Sequence, residues 1–202
     1  MRVLLLEGET GVAEEAAGQL TASGHEVARC HDAGSPAFPC NGLADGHECP
    51  LDNGPVDVAV VVRAERHPEP TAGEDGARCA LRRHIPLVMV GEAHASPYEE
   101  WTSVYAAGPE AVVSAVERAG SAPLARHDEV ATRALRDVLD IHELSHVGAS
   151  AEVRRVDGDL RAVLRPSEPI SHKVAEVASV RAAGALRAFD PYPERIDVSV
   201  DS

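Results

Sequence analysis

Val3-Leu4-Leu5-Leu6 is an unbroken apolar run closed by Glu7, the pattern of a strand buried on both faces of a sheet. Thr10 precedes a stretch, 11–23, in which Val12, Ala16 and Leu20 share one helical face. The spacing predicts a helix capped by Thr10 and stopped by Gly24. Residues 25–30 predict a second strand, and 56–62 (Val-Asp-Val-Ala-Val-Val-Val) the strongest strand in the chain. A short helix over 77–83, a strand over 85–90, a weak strand over 103–106 and a helix over 109–119 follow, the last with Pro109 at its first position, where a missing N–H costs nothing. Beyond 121–126, a linker with Pro123, the pattern changes. A helix is predicted over 127–144, two strands over 151–156 and 160–164 around an Asp157-Gly158 turn, a helix starting at Ser171, and a last alternating strand over 195–200.

Aromatic residues make up only 3% of the chain, so the core must be built from Val, Leu, Ile and Ala. With 33 acidic against 19 basic residues, the net charge is -14. That balance excludes a general nucleic-acid binder, which needs clustered Lys and Arg. No apolar run approaches the roughly 18 residues of a spanning helix. The apolar start is cut by Glu7 and Glu9 before it reaches the length of an export signal. The expected setting is the cytoplasm, without membrane insertion, where thiols stay reduced.

The first eight elements, β-α-β-(loop)-β-α-β-β-α, imply a parallel five-stranded α/β sheet with helices on both faces. Over residues 1–120 this order resembles the receiver domain of bacterial response regulators, whose sheet is flavodoxin-like. The resemblance implies acidic residues after the first strand for magnesium, an aspartate ending the third to take phosphate, a Ser or Thr after the fourth and a Lys after the fifth. Here the first strand runs into Glu7-Gly8-Glu9, Val62 stands at the acceptor position, and Gly91 follows the fourth strand. The only lysine is Lys173, and Asp57 opens its strand instead of ending it. Without nucleophile and counter-cation, aspartyl phosphorylation cannot run, and the domain is expected to be a pseudo-receiver. Residues 127–202, a small α+β domain of order α-β-β-α-β, resemble BON and alkaline-shock-type domains. That likeness implies docking on a partner protein or a second copy of the chain.

All four cysteines, Cys30, Cys40, Cys49 and Cys79, fall in the first domain. A Gly-, Pro-, Asn- and Asp-rich loop within 30–55 carries two of them and stands where a helix is normally found. Its apolar residues, Phe38, Leu43 and Leu51, are few, so something else must offset its ordering entropy, and a metal would. Four thiols at one sheet edge suit an iron–sulfur cluster, [4Fe–4S], or an all-thiolate zinc site. The absence of C-x2-C pairs disfavours zinc, while Cys49-Pro50 and widely spaced single cysteines favour the cluster. His31 and His47 leave a mixed Cys/His set open. The plainer alternative is that Cys30 and Cys79 are core thiols and that Cys40 and Cys49 form a loop disulfide or nothing.

His142-Glu143-Leu144-Ser145-His146 matches H-E-x-x-H, the zinc-hydrolase signature of two ligands on one helical face with the glutamate as base. Against it, Gly148 closes the helix, no third ligand follows at a family spacing, and the domain is small for a protease cleft. Gly8-Glu9-Thr10-Gly11 is not a phosphate loop, because its glutamates would repel a pyrophosphate. Three readings follow: a non-catalytic regulatory or redox-sensing protein with a cysteine-ligated centre, a zinc hydrolase, and a structural assembly subunit.

Overall fold

The computed structural model describes residues 1–32, 35–44, 48–92 and 96–201. The chain forms two compact units, Met1–Gly120 and Ser121–Ser202. In the first, five strands are all parallel: β1 (Arg2–Glu7), β2 (Glu26–Arg29), β3 (Val58–Arg63), β4 (Leu87–Gly91) and β5 (Thr102–Ala106). Their order across the sheet is β2-β1-β3-β4-β5. The helices are α1 (Glu14–Ala22), α2 (Asp75–Arg82) and α3 (Val112–Ser121).

Strands β1, β3 and β4 are apolar on every residue of their middles because both sheet faces are covered. Val3, Leu5, Val58, Val60, Val62, Val88 and Val90 face Ala16 and Leu20 of α1 and Ala115 and Val116 of α3. The alternate residues Leu4, Leu6, Ala59, Val61, Leu87 and Met89 face Ala77 and Ala80 of α2, together with Cys30, Leu51, Val56, Ile85 and Tyr98. Each fully buried Leu or Met contributes about 1.5–3 kcal/mol, which makes aromatic bulk dispensable. Among the described residues α2 is the one α-helix on this second face; further cover comes from Ile85, Tyr98 and the segment between β2 and β3, whose regular piece is a 3-10 turn, Asn41–Leu43.

α1 begins at Glu14, three residues later than Thr10 would have started it, with no side-chain cap at its first residue. Gly11 has a φ of +86°, and its N–H donates to Glu7 Oε2 at 2.9 Å, so the chain turns there before the helix starts.

In the second unit, α4 (Ala125–Ile141) and α5 (His172–Phe189) lie on one face of a three-stranded sheet, β6 (Ser150–Val156), β7 (Asp159–Arg165) and β8 (Ile196–Val200). β6 and β7 are antiparallel, β7 and β8 parallel. Asp157 and Gly158 turn the hairpin with φ values of 53° and 84°, as a type I′ turn requires. The Ser171 hydroxyl accepts from the Val174 N–H at 3.4 Å and caps α5. The segment expected as a linker is shorter than 121–126, since Ser121 ends α3 and Ala125 already starts α4.

This unit buries a polar group in its core. Asp190, fully buried, accepts from Arg155 Nη2 at 2.8 Å and lies 3.0 Å from His127 Nε2. Its second oxygen accepts from the Tyr192 N–H at 3.2 Å. Burial pushes the Asp190 carboxyl up, but the His127 hydrogen bond, the Arg155 charge and the Tyr192 N–H outweigh it and hold the group below its ordinary value. Among the described residues no helix is long and apolar enough to cross a membrane.

Candidate metal centre

Three of the four cysteines, Cys30, Cys40 and Cys49, border the second face of the first unit, and the fourth, Cys79, lies exposed on α2. Cys30 follows β2, is 8% exposed, and packs with Leu6, Leu51 and Ala77. Cys40 opens the 3-10 turn: its carbonyl accepts from Leu43 and Ala44, while the next N–H, of Asn41, donates to the Cys30 carbonyl at 2.6 Å. Cys49 opens a second turn, its carbonyl accepting from Asp52 at 2.9 Å and Asn53 at 3.2 Å. Cys40 and Cys49 are half-buried against the same apolar cluster as Cys30. Cys79 lies on α2 and is exposed.

Two glycines leave room for this packing. A Cβ on Gly76 would stand 2.7 Å from Cys30 Sγ, and one on Gly42 would stand 2.9 Å from Cys49 Cβ. Both distances lie inside contact, so the backbone itself approaches the thiols.

Burial pushes the Cys30 thiol up to about 12, and Cys49, Cys40 and Cys79 each add to the rise, in that order. Cys79 is raised by burial and then by Cys49, against the pull of Arg82 and Arg83. The four thiols do not converge on one point. A mononuclear tetrahedral site with bonds of about 2.3 Å holds its sulfurs within roughly 4 Å of one another. Among the described residues no three His, Cys, Asp or Glu side chains are gathered so as to hold a metal ion. The expectation that the four thiols share one ready-made site is therefore not met among the described residues. All four cysteines are free thiols, with no Cys40–Cys49 disulfide, and Cys79 is exposed instead of being a core thiol. His31 turns to Glu7, with Nε2 3.5 Å from Oε1, and His47 lies outside the described residues.

The carboxyl end of the sheet, where a receiver would take its phosphoryl group, is closed. Val62 is 4% exposed and packs among Val60, Val90 and Ala106. Arg63 beside it, 1% exposed, donates to fully buried Glu74 through Nε at 2.5 Å and Nη2 at 3.1 Å. Glu74 also accepts from the Thr71 N–H at 2.9 Å, and Arg63 donates to the His67 carbonyl at 2.9 Å. Gly73 and Gly91 let backbone close over this pair: a Cβ would meet the Glu7 carbonyl oxygen at 2.1 Å and that of Arg63 at 2.2 Å, respectively. Glu9 accepts from the Ala64 and Glu65 N–H groups. Asp57 lies at the opposite end of its strand, accepting from the Arg2 N–H. Sequence reasoning missed the Arg63–Glu74 pair, although Thr71-x-x-Glu74 is a visible capping-box signature. Incubation with acetyl phosphate and magnesium is expected to leave the intact mass unchanged. A single added phosphate mapping to residues 1–120 would refute that expectation.

The H-E-x-x-H residues do not share a helical face. α4 ends at Ile141, Glu143 is left-handed with a φ of 59°, and the Leu144 N–H closes back on the Leu139 carbonyl at 2.9 Å. His146 Nδ1 instead pairs with Asp140. The expected helix over 127–144 is thus three residues too long, and the zinc-hydrolase geometry goes with the lost turn.

Compared with known proteins, the chain matches no family model, no curated protein and no solved structure.

Proposed function

We propose that this is a non-catalytic regulatory protein whose first unit is a pseudo-receiver with a cysteine-ligated, polynuclear metal centre, and whose second unit docks on a partner protein. The observation that carries the reading is the packing of Cys30, Cys40 and Cys49 against one apolar face of the sheet, with Cys79 on the helix that covers it. The strand order β2-β1-β3-β4-β5 is the flavodoxin-like one, and it supports the receiver likeness. A buried ion pair in place of an acidic pocket supports loss of phosphorylation. The lack of C-x2-C pairs and the Cys49-Pro50 dipeptide favour an iron–sulfur cluster over one zinc ion. The second unit is read as BON-like or alkaline-shock-like by its α-β-β-α-β order. Val180, 74% exposed beside a groove between α4 and α5, supports a docking role.

Anaerobic purification tests the centre. The protein is expected to be brown, to absorb near ~400 nm as thiolate-ligated clusters do, and to contain iron and acid-labile sulfide. Cys30→Ala, Cys40→Ala, Cys49→Ala and Cys79→Ala should each bleach it. Stoichiometric zinc in place of iron would correct the metal and keep the site; a metal-free protein that cannot be loaded would overturn the reading.

A further inference from the structure

The sheet of the second unit has two margins, and the fold treats them differently. Along β6 the outward backbone groups are taken. The Ala151 N–H donates to Thr132 Oγ1 at 2.8 Å, the Val153 N–H donates to Asp128 Oδ1 at 2.6 Å, and the Val153 carbonyl accepts from the Leu124 N–H at 2.8 Å. α4 and the residue before it thus close that edge. β8, the other margin, is hydrogen-bonded to β7 alone. The Leu160 N–H donates to the Arg195 carbonyl at 3.1 Å, and the Asp201 N–H donates to the Leu164 carbonyl at 2.9 Å. Alternate residues of a parallel ladder turn their backbone groups the same way. Residues 195, 197, 199 and 201 therefore face β7, and Ile196, Val198 and Val200 turn their N–H and C=O groups outward. Those groups have no hydrogen-bond partner among the described residues. β8 also has no proline and no bulge, devices that commonly protect an open edge from pairing.

We propose that β8 is a self-association edge, to which β8 of a second copy of this chain adds antiparallel about a two-fold axis through Val198. The residue order decides the partner. Set against its own reverse, the stretch from Arg195 to Asp201 places Arg195 opposite the second copy's Asp201, Ile196 opposite Val200, Asp197 opposite Ser199, and Val198 opposite itself. The outward residues, Ile196, Val198 and Val200, then fall in the pairs that exchange both N–H···O bonds. Their side chains already pack against the core under α4 and α5, and the pairing continues that apolar layer across the joint. On the opposite face of the sheet, Arg195 and Asp201 are exposed and make an opposite-charge cross-strand pair at each end, beside Arg165, whose Nε lies 3.3 Å from Asp201 Oδ2. Other registers lose this match. An axis at Asp197 sets that carboxylate against its own copy, and an axis at Ser199 sets Asp197 against Asp201, both destabilising. Axes nearer either end leave half of the strand unpaired. One register remains, as pairing with a defined face requires. The contact is isologous, so it closes at a dimer and joins two three-stranded sheets into one. It goes beyond the docking role read from the groove beside Val180 and depends neither on that groove nor on the thiols.

The test follows the full chain by analytical ultracentrifugation over a dilution series, under reductant so that no disulfide contributes. The concentrated protein should sediment at twice the 21.3 kDa of one chain. Amide exchange reads the edge itself. The N–H groups of Ile196, Val198 and Val200 should be protected in the dimer and exchange freely in the monomer, while those of Asp197 and Ser199, which face β7, stay protected in both. Val198→Pro deletes an outward N–H without touching the β7 ladder and should give a monomer. Arg195→Asp should weaken association about tenfold by opposing carboxylates. Arg195→Asp combined with Asp201→Arg should restore it, a rescue that a merely misfolded variant does not give. A chain that stays monomeric at every concentration would overturn the proposal, as would a swapped variant no tighter than Arg195→Asp. So would a dimer that survives Val198→Pro, or one that Val180→Glu abolishes while the outward amides of β8 exchange freely throughout, since that places the contact on the groove between α4 and α5.

Discussion

Glu74→Gln is expected to destabilise the first unit by about 3–5 kcal/mol, the usual cost of stranding one member of a buried ion pair. The substitution keeps shape and removes charge. It leaves Arg63, 1% exposed, with a cation that has lost its two carboxylate contacts. Replacing both residues, Arg63→Met with Glu74→Met, should recover most of the loss, because the desolvation penalty leaves with the charges. Denaturation followed by the fluorescence of Trp101, the only tryptophan and a residue of this unit, measures both. A single variant within about 1 kcal/mol of the parent, the range of a surface pair, would show that the pair is hydrated.

Asp190→Asn is expected to destabilise the second unit by a similar amount, about 3–5 kcal/mol near neutral pH, because Arg155 and His127 stay buried around a neutral amide. The Asp190 carboxyl is held below its ordinary value of 3.8 in the folded chain. Its contribution is therefore complete above that value and is lost as pH falls below it, through the folded-state value. The gap between parent and variant should be widest at pH 6–7 and narrow under more acid conditions. Amide exchange in α4 and α5 reads this unit separately from the tryptophan. A gap that does not change from pH 7 down to pH 2.5 would remove Asp190 as the titrating group.

How much of this was legible in the sequence depended on whether the signal was local. The central strands of the first unit were, because a strand covered on both faces leaves no polar position to blur its middle, as in residues 58–62. So was the Asp157-Gly158 turn, whose residue types match its left-handed backbone. The end of α4 was not. Leu144 continues the helical spacing but reaches its place by closing on Leu139, through a left-handed Glu143 where glycine would be the usual marker. The visible stop, Gly148, comes later. Arg63 and Glu74 lie eleven positions apart on a strand and a turn whose meeting only the fold decides. Cys30, Cys40 and Cys49 were legible as residues of the segment that covers the second sheet face; that Cys79 would stand exposed was not, because it depends on how α2 is turned about its axis.

Strand β2 is four residues long, lies at the margin of the sheet, and is hydrogen-bonded to β1 alone. Cys30 follows its last residue, so whatever the thiols grip pulls through a single peptide unit on the least supported strand. Beyond β1, what holds that margin is side-chain packing. Cys30 seats against Leu6, Leu51 and Ala77, so this one thiol joins the edge strand to the helix side of the sheet. A change at its sulfur would be felt first as a strand edge that peels more or less readily.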